Sequence, residues 1–484
     1  MMIPYRKTAL TLLLILFFVS SSQSQSSDAG QFLKNDPVKD KSLVDAITTQ
    51  YEKDVAGISG PNKKYIADLY KERFDLIKER FDENEVITSP NANNFLASLA
   101  NEIFKNNQNL NPRDLRILFS RAPWPNASSM GEGTILFNIG LFCRLDNESQ
   151  AVFILCHELA HYFLDHSNNN IRQYVNTIYS DEFQEKLKTI QKSQYQQGSQ
   201  LDKLTKGLMF KSRRHNREFE QAADSMALEL MKNTSYDLNE ALSCLALLDS
   251  VDKDKYDVDI DLKKHFNFIS FPFQERWLEK EDLLMIKNEN EEKERLKEED
   301  SLKTHPDCKV RMEILREKVK KYQKDGSKKF VINEEEFLKL KNEFDFEIIE
   351  YCYLSNHVSQ SLFYALEMLH VYPDHAYLHA VIGRCLNQLY IHQKKHELGK
   401  IVDLVKPAWE EKYNGLLTFI QNLRLQEIAA LSYYFLFQDA NKFSGSEDFV
   451  YALIMSKENF NKPEEKIQWI NFYKKNFPKG KYIF

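Results

Sequence analysis

The sequence is poor in the two residues that punctuate loops, with 14 glycines and 13 prolines among its 484 residues. Such a low content excludes collagen-like and low-complexity chains and favours a well-ordered, mainly helical protein. The formal net charge is only −6 and no basic block is present, so we do not expect nucleic acid as a partner. The 6 cysteines are scattered without a Cys-x-x-Cys pair, which argues against a thiolate zinc site and against a redox motif.

Long apolar runs are also missing, since no segment after the N-terminus approaches the length that a membrane-spanning helix needs. The N-terminus has a basic pair, Arg6-Lys7, an apolar run over residues 9–19 and a Ser/Gln-rich stretch over residues 20–27. This order predicts a secretory signal peptide over residues 1–25, with an uncleaved anchor as the alternative. We expect an exported protein. The Lys- and Asn-rich composition favours a bacterial periplasm, and secretion is the alternative.

The most informative motif is His157-Glu158-Leu159-Ala160-His161. Residues four apart share one helix face, so the two imidazoles point the same way, at the spacing that two ligands of one zinc ion require. Glu158 projects from the adjacent flank, where it can act on an attacking water without being a ligand. The surrounding helix is apolar on nearly every side, which predicts burial, and buried histidines need partners. Two solvated histidines on an exposed helix are the alternative.

A later helix offers the third ligand that such a zinc site needs. Glu220 and Asp224 lie four residues apart on one face of it. Buried carboxylates are costly unless they meet cations, a problem that Glu220 as ligand and Asp224 as partner of a zinc-bound histidine would resolve. Glu218 competes for the ligand role, but only Glu220 has an aspartate four residues on. The prediction is one Zn²⁺ per chain; the alternative is an exposed acidic helix.

The stretch ahead of the HExxH helix has the pattern of strands. Apolar runs over residues 115–119 and 134–142 flank Pro123-Trp124-Pro125-Asn126-Ala127, whose two prolines suit only an edge strand or an extended loop. The active-site helix is predicted over residues 148–166. An edge strand beside it can take an extended peptide as an added strand. The alternative is that these strands only cover the core.

These motifs together resemble the gluzincin metallopeptidases of the CAAX prenyl endopeptidase and HtpX-like family. The resemblance rests on HExxH, on Glu-x-x-Ala-Asp ending at Asp224, and on three segments that look like family motifs: Pro125-Asn126-Ala127, Gly133–Phe142, and Thr304-His305-Pro306 with Arg311. It spans roughly residues 60–322 and implies a zinc endopeptidase acting on polypeptides. The implied roles are metal ligands for His157, His161 and Glu220, base for Glu158, contacts to the reacting carbonyl for His305 and Arg311, and substrate binding for Asn126 and Ala127.

The chain also departs from this family. The integral-membrane members have several spanning helices, whereas this sequence predicts none after the signal peptide, so processing of prenylated proteins is not implied. The gap between Glu220 and His305 is longer than usual, and an ordinary turn-forming His-Pro is the alternative for His305. A further hypothesis is that the His305 imidazole fills the fourth coordination position in a resting state.

After a Lys/Glu-rich helix that ends near residue 324, the chain becomes aromatic and helical. Ser361–Met368, followed by Tyr372-Pro373-Asp374, resembles the second helix of a tetratricopeptide repeat, with an irregular helical bundle as the alternative. Stacked helical pairs form concave surfaces that hold partners. The combination resembles periplasmic protease-plus-repeat proteins, which implies a role in envelope protein quality control.

The predicted fold class is mainly α (α+β). A signal peptide (residues 1–25) and an N-terminal arm (26–60) precede a zinc metallopeptidase domain with a small sheet (61–327) and an all-α tetratricopeptide-like domain (328–484). The predicted function is an exported zinc endopeptidase for polypeptides, misfolded ones included. Its helices would bind an envelope complex, and it would associate peripherally with the membrane. The alternative is a chaperone-like scaffold with a structural or vestigial zinc site. An intact Glu158 favours the enzyme, because a structural site does not need it.

Overall fold

The computed structural model describes residues 32–192, 197–249, 260–279, 308–322, 327–406 and 409–484. The predicted signal peptide and His305 lie outside these ranges. Within them, no helix combines the length and the apolar character that crossing a bilayer demands.

The described chain is mainly helical, with one small sheet. Helices α1 to α9 are Pro37–Ala56, Lys63–Asp82, Pro90–Asn106, Ile139–Phe142, Glu148–Phe163, His166–Ile178, Asp181–Lys192, Gln197–Lys232 and Asn239–Asp249. Helices α10 to α18 are Leu262–Phe266, Cys308–Tyr322, Glu334–Leu354, Val358–Val371, Ala376–Lys394, Glu411–Asn422, Leu425–Phe437, Glu447–Asn459 and Pro463–Asn476. Strands β1 to β4 are Val86–Ile87, Arg116–Ser120, Ala127–Ser129 and Thr134–Asn138. The predicted mainly α (α+β) class is confirmed.

The four strands form a sheet in the order β1-β2-β4-β3. The central strands β2 and β4 are parallel, and the two outer pairings are antiparallel. Strand β3 therefore lies at the edge of the sheet, where the two prolines before it predicted an edge strand. Every residue of β4 is buried, as expected for a strand with neighbours on both sides and helices against its faces.

The strand predicted over residues 134–142 ends at Asn138 and continues as the short helix α4. Gly140 permits this turn because its backbone lies against the loop that precedes β3. Its N–H donates to Ala122 O at 3.2 Å, and a Cβ at this position would lie 1.9 Å from Pro123 O. The apolar pattern of this segment did not distinguish a buried strand from a buried helix.

Helix α5 carries the HExxH motif and is almost entirely enclosed, with each residue from Glu148 to Ala160 buried. Asn147 caps it by accepting a hydrogen bond from Gln150 N at 3.1 Å. The helix ends at Phe163, because Asp165 adopts a left-handed conformation with φ of 56°. The helix predicted to reach residue 166 is thus two helices, and α6 begins at His166.

Two hydrophobic cores organise the chain. The first joins the sheet to α3, α5, α8, α9, α11 and α12, and the second is formed by α13 to α17. Helix α12 serves both, since Phe344 packs in the first core and Ile349 in the second. Phe266 and Trp277, assigned by sequence to the peptidase domain, also pack in the second core. The domain boundary at residue 327 stays a prediction.

A buried ion pair fastens the N-terminal segment and the sheet to α12. Arg121 Nε donates to Glu347 Oε1, while its Nη1 and Nη2 donate to Asn84 O and Leu33 O, both at 2.7 Å. Leu33 N in turn donates to Glu347 Oε2 at 3.0 Å. The arm expected over residues 26–60 is largely the helix α1, which packs on α2.

We predict that Gly140→Ala destabilises the protein by about 2–4 kcal/mol, because the added methyl group forces the Pro123 backbone away from α4. Chemical denaturation monitored by circular dichroism measures this change. The matched control is Gly415→Ala in α15, where nothing lies within 4 Å of the new Cβ, and a gain of about 0.5–1 kcal/mol is expected. Equal midpoints for the two variants would contradict the close approach.

Candidate metal centre

Three ligand atoms converge between α5 and α8. His157 Nε2 lies 3.0 Å from His161 Nε2, and each of these atoms lies 3.4 Å from an oxygen of Glu220. The corners of a tetrahedral zinc site with bonds of about 2.0 Å are about 3.3 Å apart. The spacing of the three groups therefore fits one zinc ion. Among the described residues, these three side chains form the one cluster of His, Cys, Asp or Glu whose ligand atoms lie close enough together to hold a metal ion.

The packing of α8 against α5 brings the ligands together. The two histidines share one face of α5 because they are one helical turn apart. Ala223 and Ala227 on α8 are fully buried, and such small side chains let two helices approach closely. His157 and Glu220 are only 4% and 5% exposed. The ligand set of two imidazoles and one carboxylate is typical of catalytic zinc sites, which keep the fourth position open.

A second layer of charged groups supports the ligands. Asp224 Oδ1 lies 2.9 Å from His157 Nδ1, so the opposite nitrogen, Nε2, faces the metal position. Arg311 donates from Nε and Nη2 to the two oxygens of Asp224, both at 2.7 Å. Its Nη1 lies 3.2 Å from Glu220 Oε2. One guanidinium thus holds both carboxylates of α8.

The electrostatics of this cluster favour positive charge at His157. Burial lowers the pKa of His157, but the hydrogen bonds that its ring donates to Asp224 and Glu220 outweigh burial and raise that pKa to about 9. Burial raises the pKa of Asp224, but Arg311 and His157 together lower it to about 2. The carboxylates therefore stabilise positive charge at the His157 ring. A metal ion bound to Nε2 would supply this positive charge as a proton does.

Arg311 occupies a different place from the one that the resemblance implied. It was expected beside the reacting carbonyl, but its guanidinium is 4% exposed and contacts the ligand Glu220 and the supporting residue Asp224. The physical reason is the carboxylate pair on α8, which is stable in a buried position only when a cation meets it. His305, assigned to the same carbonyl, lies outside the described residues.

His166 is a site residue that the sequence analysis missed. Its Nδ1 lies 3.0 Å from His161 Nδ1, and its ring stacks on Phe219 of α8 with centroids 4.3 Å apart. Burial, followed by the charge of His161, lowers the pKa of His166 to about 4. It supports His161 much as Asp224 supports His157. A third histidine five residues after His161 was the available signal, but the predicted helix ran through it.

The proposed base lies beside His157 on α5, and the edge strand packs against this helix. Glu158 is 2% exposed on α5, and β3 packs against this helix. Asn126 accepts a hydrogen bond from Asn138 N at 3.0 Å just before β3 begins, and Ala127 pairs with Phe137 of β4. Asn126 and Ala127 therefore lie at the start of the edge strand, and their contact with substrate stays a prediction.

One comparison with known proteins gives a match. Residues 90–319 match the model of Peptidase family M48. The matched region begins with α3 and includes the sheet from β2 onward, the HExxH helix, Glu220 and Arg311. No curated protein matches the sequence.

We predict that Glu220→Gln lowers zinc affinity by more than about 100-fold, because loss of a ligand costs at least as much as loss of a group behind one. Zinc content after dialysis, measured by atomic absorption, should fall from one ion per chain to near zero. The matched control is Glu218→Gln, two residues away on the same helix and exposed, which should keep the full stoichiometry. Zinc loss in the Glu218 variant alone would reverse the assignment.

For Asp224→Asn we expect about 10- to 100-fold weaker zinc binding, because an amide supports the His157 ring less strongly than a carboxylate does. Competition with a chromophoric chelator measures the affinity. A parallel thermal melt checks that the fold survives. Unchanged zinc affinity in a folded variant would show that Asp224 does not act through His157.

Proposed function

We propose, on the premise that residues 90–319 belong to peptidase family M48, that this chain is an endopeptidase for extended polypeptide segments. The family indicates a zinc metallopeptidase, which hydrolyses peptide bonds. The observation that carries the proposal is the convergence of His157, His161 and Glu220 around one point, with Glu158 on the same helix and an edge strand packed against it.

The residues of the site divide the work. His157, His161 and Glu220 would hold the zinc ion, which when bound supplies a Lewis acid that polarises the scissile carbonyl and the attacking water. The Glu158 carboxylate takes a proton from that water and passes it to the leaving amine. Asp224 and His166 keep the two imidazole rings oriented through their Nδ1 atoms. Arg311 neutralises the carboxylates of Glu220 and Asp224, so the site stays assembled.

The edge strand indicates what kind of substrate fits. Strand β3 pairs with β4 on one side only, so its other side can hydrogen-bond to an added peptide strand. A segment can pair in this way only when it is extended and released from its own secondary structure. Unfolded or misfolded polypeptides meet this condition, and Asn126 and Ala127 would contact their backbone.

Export and quality control of envelope proteins complete the proposal. The charged, apolar and polar parts of residues 1–27 support export to a periplasm. The helices α13 and α14, and the likeness of Ser361–Met368 and the residues after it to the second helix of a tetratricopeptide repeat, support an interaction module. This module would recruit substrates or an envelope complex at the membrane surface.

We predict that Glu158→Gln reduces kcat/KM for an unfolded substrate, such as reduced and alkylated casein, by at least about 100-fold. The variant should keep one zinc ion per chain, because Glu158 is not a ligand. Glu182→Gln on α7, an exposed position, is the control and should cleave like the wild type. Full proteolysis by the Glu158 variant would refute the assigned base. If neither protein cleaves while partners still bind, the scaffold function replaces the enzyme.

A further inference from the structure

A cavity of about 220 Å³ lies where the peptidase region meets the helices that follow it. Trp124 and Arg144 line it from the peptidase side, and Phe363, Glu367, Trp409 and Tyr413 line it from the other. The first two belong to the segment that matches the family model, and the other four lie beyond that segment. The cavity is therefore a feature of how this chain joins the two regions, and it lies apart from the metal ligands.

The walls of this cavity are fixed in place. Pro123 and Pro125 stiffen the loop that carries Trp124, and Asn138 Nδ2 donates to Trp124 O at 3.2 Å. On the opposite wall, the Tyr413 hydroxyl donates to Asp403 at 2.6 Å, and the Tyr413 ring lies 5.1 Å from that of Phe363. Side chains held in this way form a site before a ligand arrives, so binding costs little ordering entropy.

The lining is aromatic and carries an excess of negative charge. Five aromatic residues share the wall with one arginine and three carboxylates, which gives a formal charge of −2. Aromatic faces and carboxylates both attract cations, more strongly when water is displaced. The aromatic residues are Trp124, Phe363, Tyr364, Trp409 and Tyr413, and the carboxylates are Asp345, Glu367 and Glu410.

Two further observations point to a ligand. Trp409 lines the cavity, and its buried Nε1 lacks a hydrogen-bond acceptor within the described parts of the chain. A turn of the indole ring would let this N–H donate to a carbonyl oxygen of a ligand. Trp124 is 45% exposed, although an aromatic side chain of this size is usually more enclosed. A cationic side chain attached to a peptide backbone supplies both a partner for the aromatic wall and a carbonyl group.

The position of the cavity connects it to the edge strand. Trp124 lies only three residues before Ala127, the first residue of β3. An extended peptide advances about 3.3 Å per residue, so a chain paired with β3 reaches this loop within a few residues. The cavity is then close enough to take a side chain of a polypeptide whose neighbouring residues lie along β3.

We infer that this cavity binds a lysine or arginine side chain of the polypeptide substrate, a few residues from the bond that is cut. The methylene stem would lie between Trp124 and the rings of α13, and the charged end would meet Glu367 and Asp345. The inference rests on the proposed function, because it assigns the cavity to the polypeptide that β3 holds. It adds a preference for basic residues at a fixed distance from the cleavage site.

Binding of labelled peptides to the full chain carrying Glu158→Gln tests this inference without cleavage. The probes are fluorescein-labelled peptides of Ser, Thr and Ala about twelve residues long, enough to span β3 and the loop. One position at a time carries Lys, and twin peptides carry Gln or Leu there. In one register, fluorescence anisotropy should show Lys binding about tenfold tighter than Gln. No preference for Lys in any register, or tightest binding by Leu, would overturn the inference.

Substitutions of the residues that line the cavity test whether the preference for Lys arises there. In the same background, Glu367→Gln and Asp345→Asn should each reduce the Lys-to-Gln ratio towards one. Glu335→Gln, at an exposed position of α12, is the matched control and should leave the ratio unchanged. If Glu367→Gln does not fold, Asp345→Asn decides, because its side chain is only partly buried. A ratio that survives in the folded wall variants would overturn the assignment.

The two proposals fail in different ways. If the wild type cleaves unfolded protein but Lys and Gln peptides bind equally, the endopeptidase function stands and the cavity inference is wrong. If the wild type cleaves nothing while the Lys preference persists and depends on Glu367 or Asp345, the cavity inference stands as a binding site and the endopeptidase function is wrong.

Discussion

The site depends on how the protein stabilises two buried carboxylates on one face of α8. Glu220 and Asp224 are each at most 5% exposed, and ionised groups in such positions are unfavourable unless cations contact them. Arg311 supplies one cation through its paired bonds to Asp224, and Asp224 and Glu220 favour a second positive charge at the His157 ring, as a proton or as a bound metal ion. Removing Arg311 would leave both buried carboxylates without this cation. The ligands are therefore held by a network from three helices, α5, α8 and α11.

This network explains why α11 belongs to the site, although it lies far along the chain from the HExxH motif. Arg311 is in the first turn of α11, and Leu315 and Val319 on the same helix pack in the first core. The packing of this hydrophobic face holds α11 in place, and Arg311 on the same helix then contacts both Glu220 and Asp224. Arg121 and Glu347 form a similar buried pair, which joins the end of β2 to α12. Arg121 also donates to Leu33 O and so holds the N-terminal segment. In both places a single arginine fixes elements that are distant in sequence.

The parts of the site governed by local periodicity could be predicted from the sequence. The four-residue spacings of His157 with His161 and of Glu220 with Asp224 define which side chains share a helix face, and the prolines around Trp124 led to the edge strand. Features that depend on tertiary contacts could not be predicted. The end of α5 depends on a left-handed Asp165, the start of α4 depends on how closely Gly140 meets Pro123, and the position of Arg311 depends on which charges surround it. The sequence motif identified Arg311 as a site residue but could not show that its guanidinium contacts Asp224 and Glu220.

The helix α12 has a consequence for how the chain can be divided. It places Phe337, Leu340 and Phe344 in the core around the sheet and Ile349 in the core of the later helices. A chain shortened at residue 327 would lose this wall, and the apolar surface of α3, α4 and β2 beneath it would face water. The two cores are thus coupled through α12, so a change that destabilises the later helices also destabilises the region that holds the metal ligands. Replacing the second region by another helical unit would therefore require rebuilding the side of the first core that α12 covers.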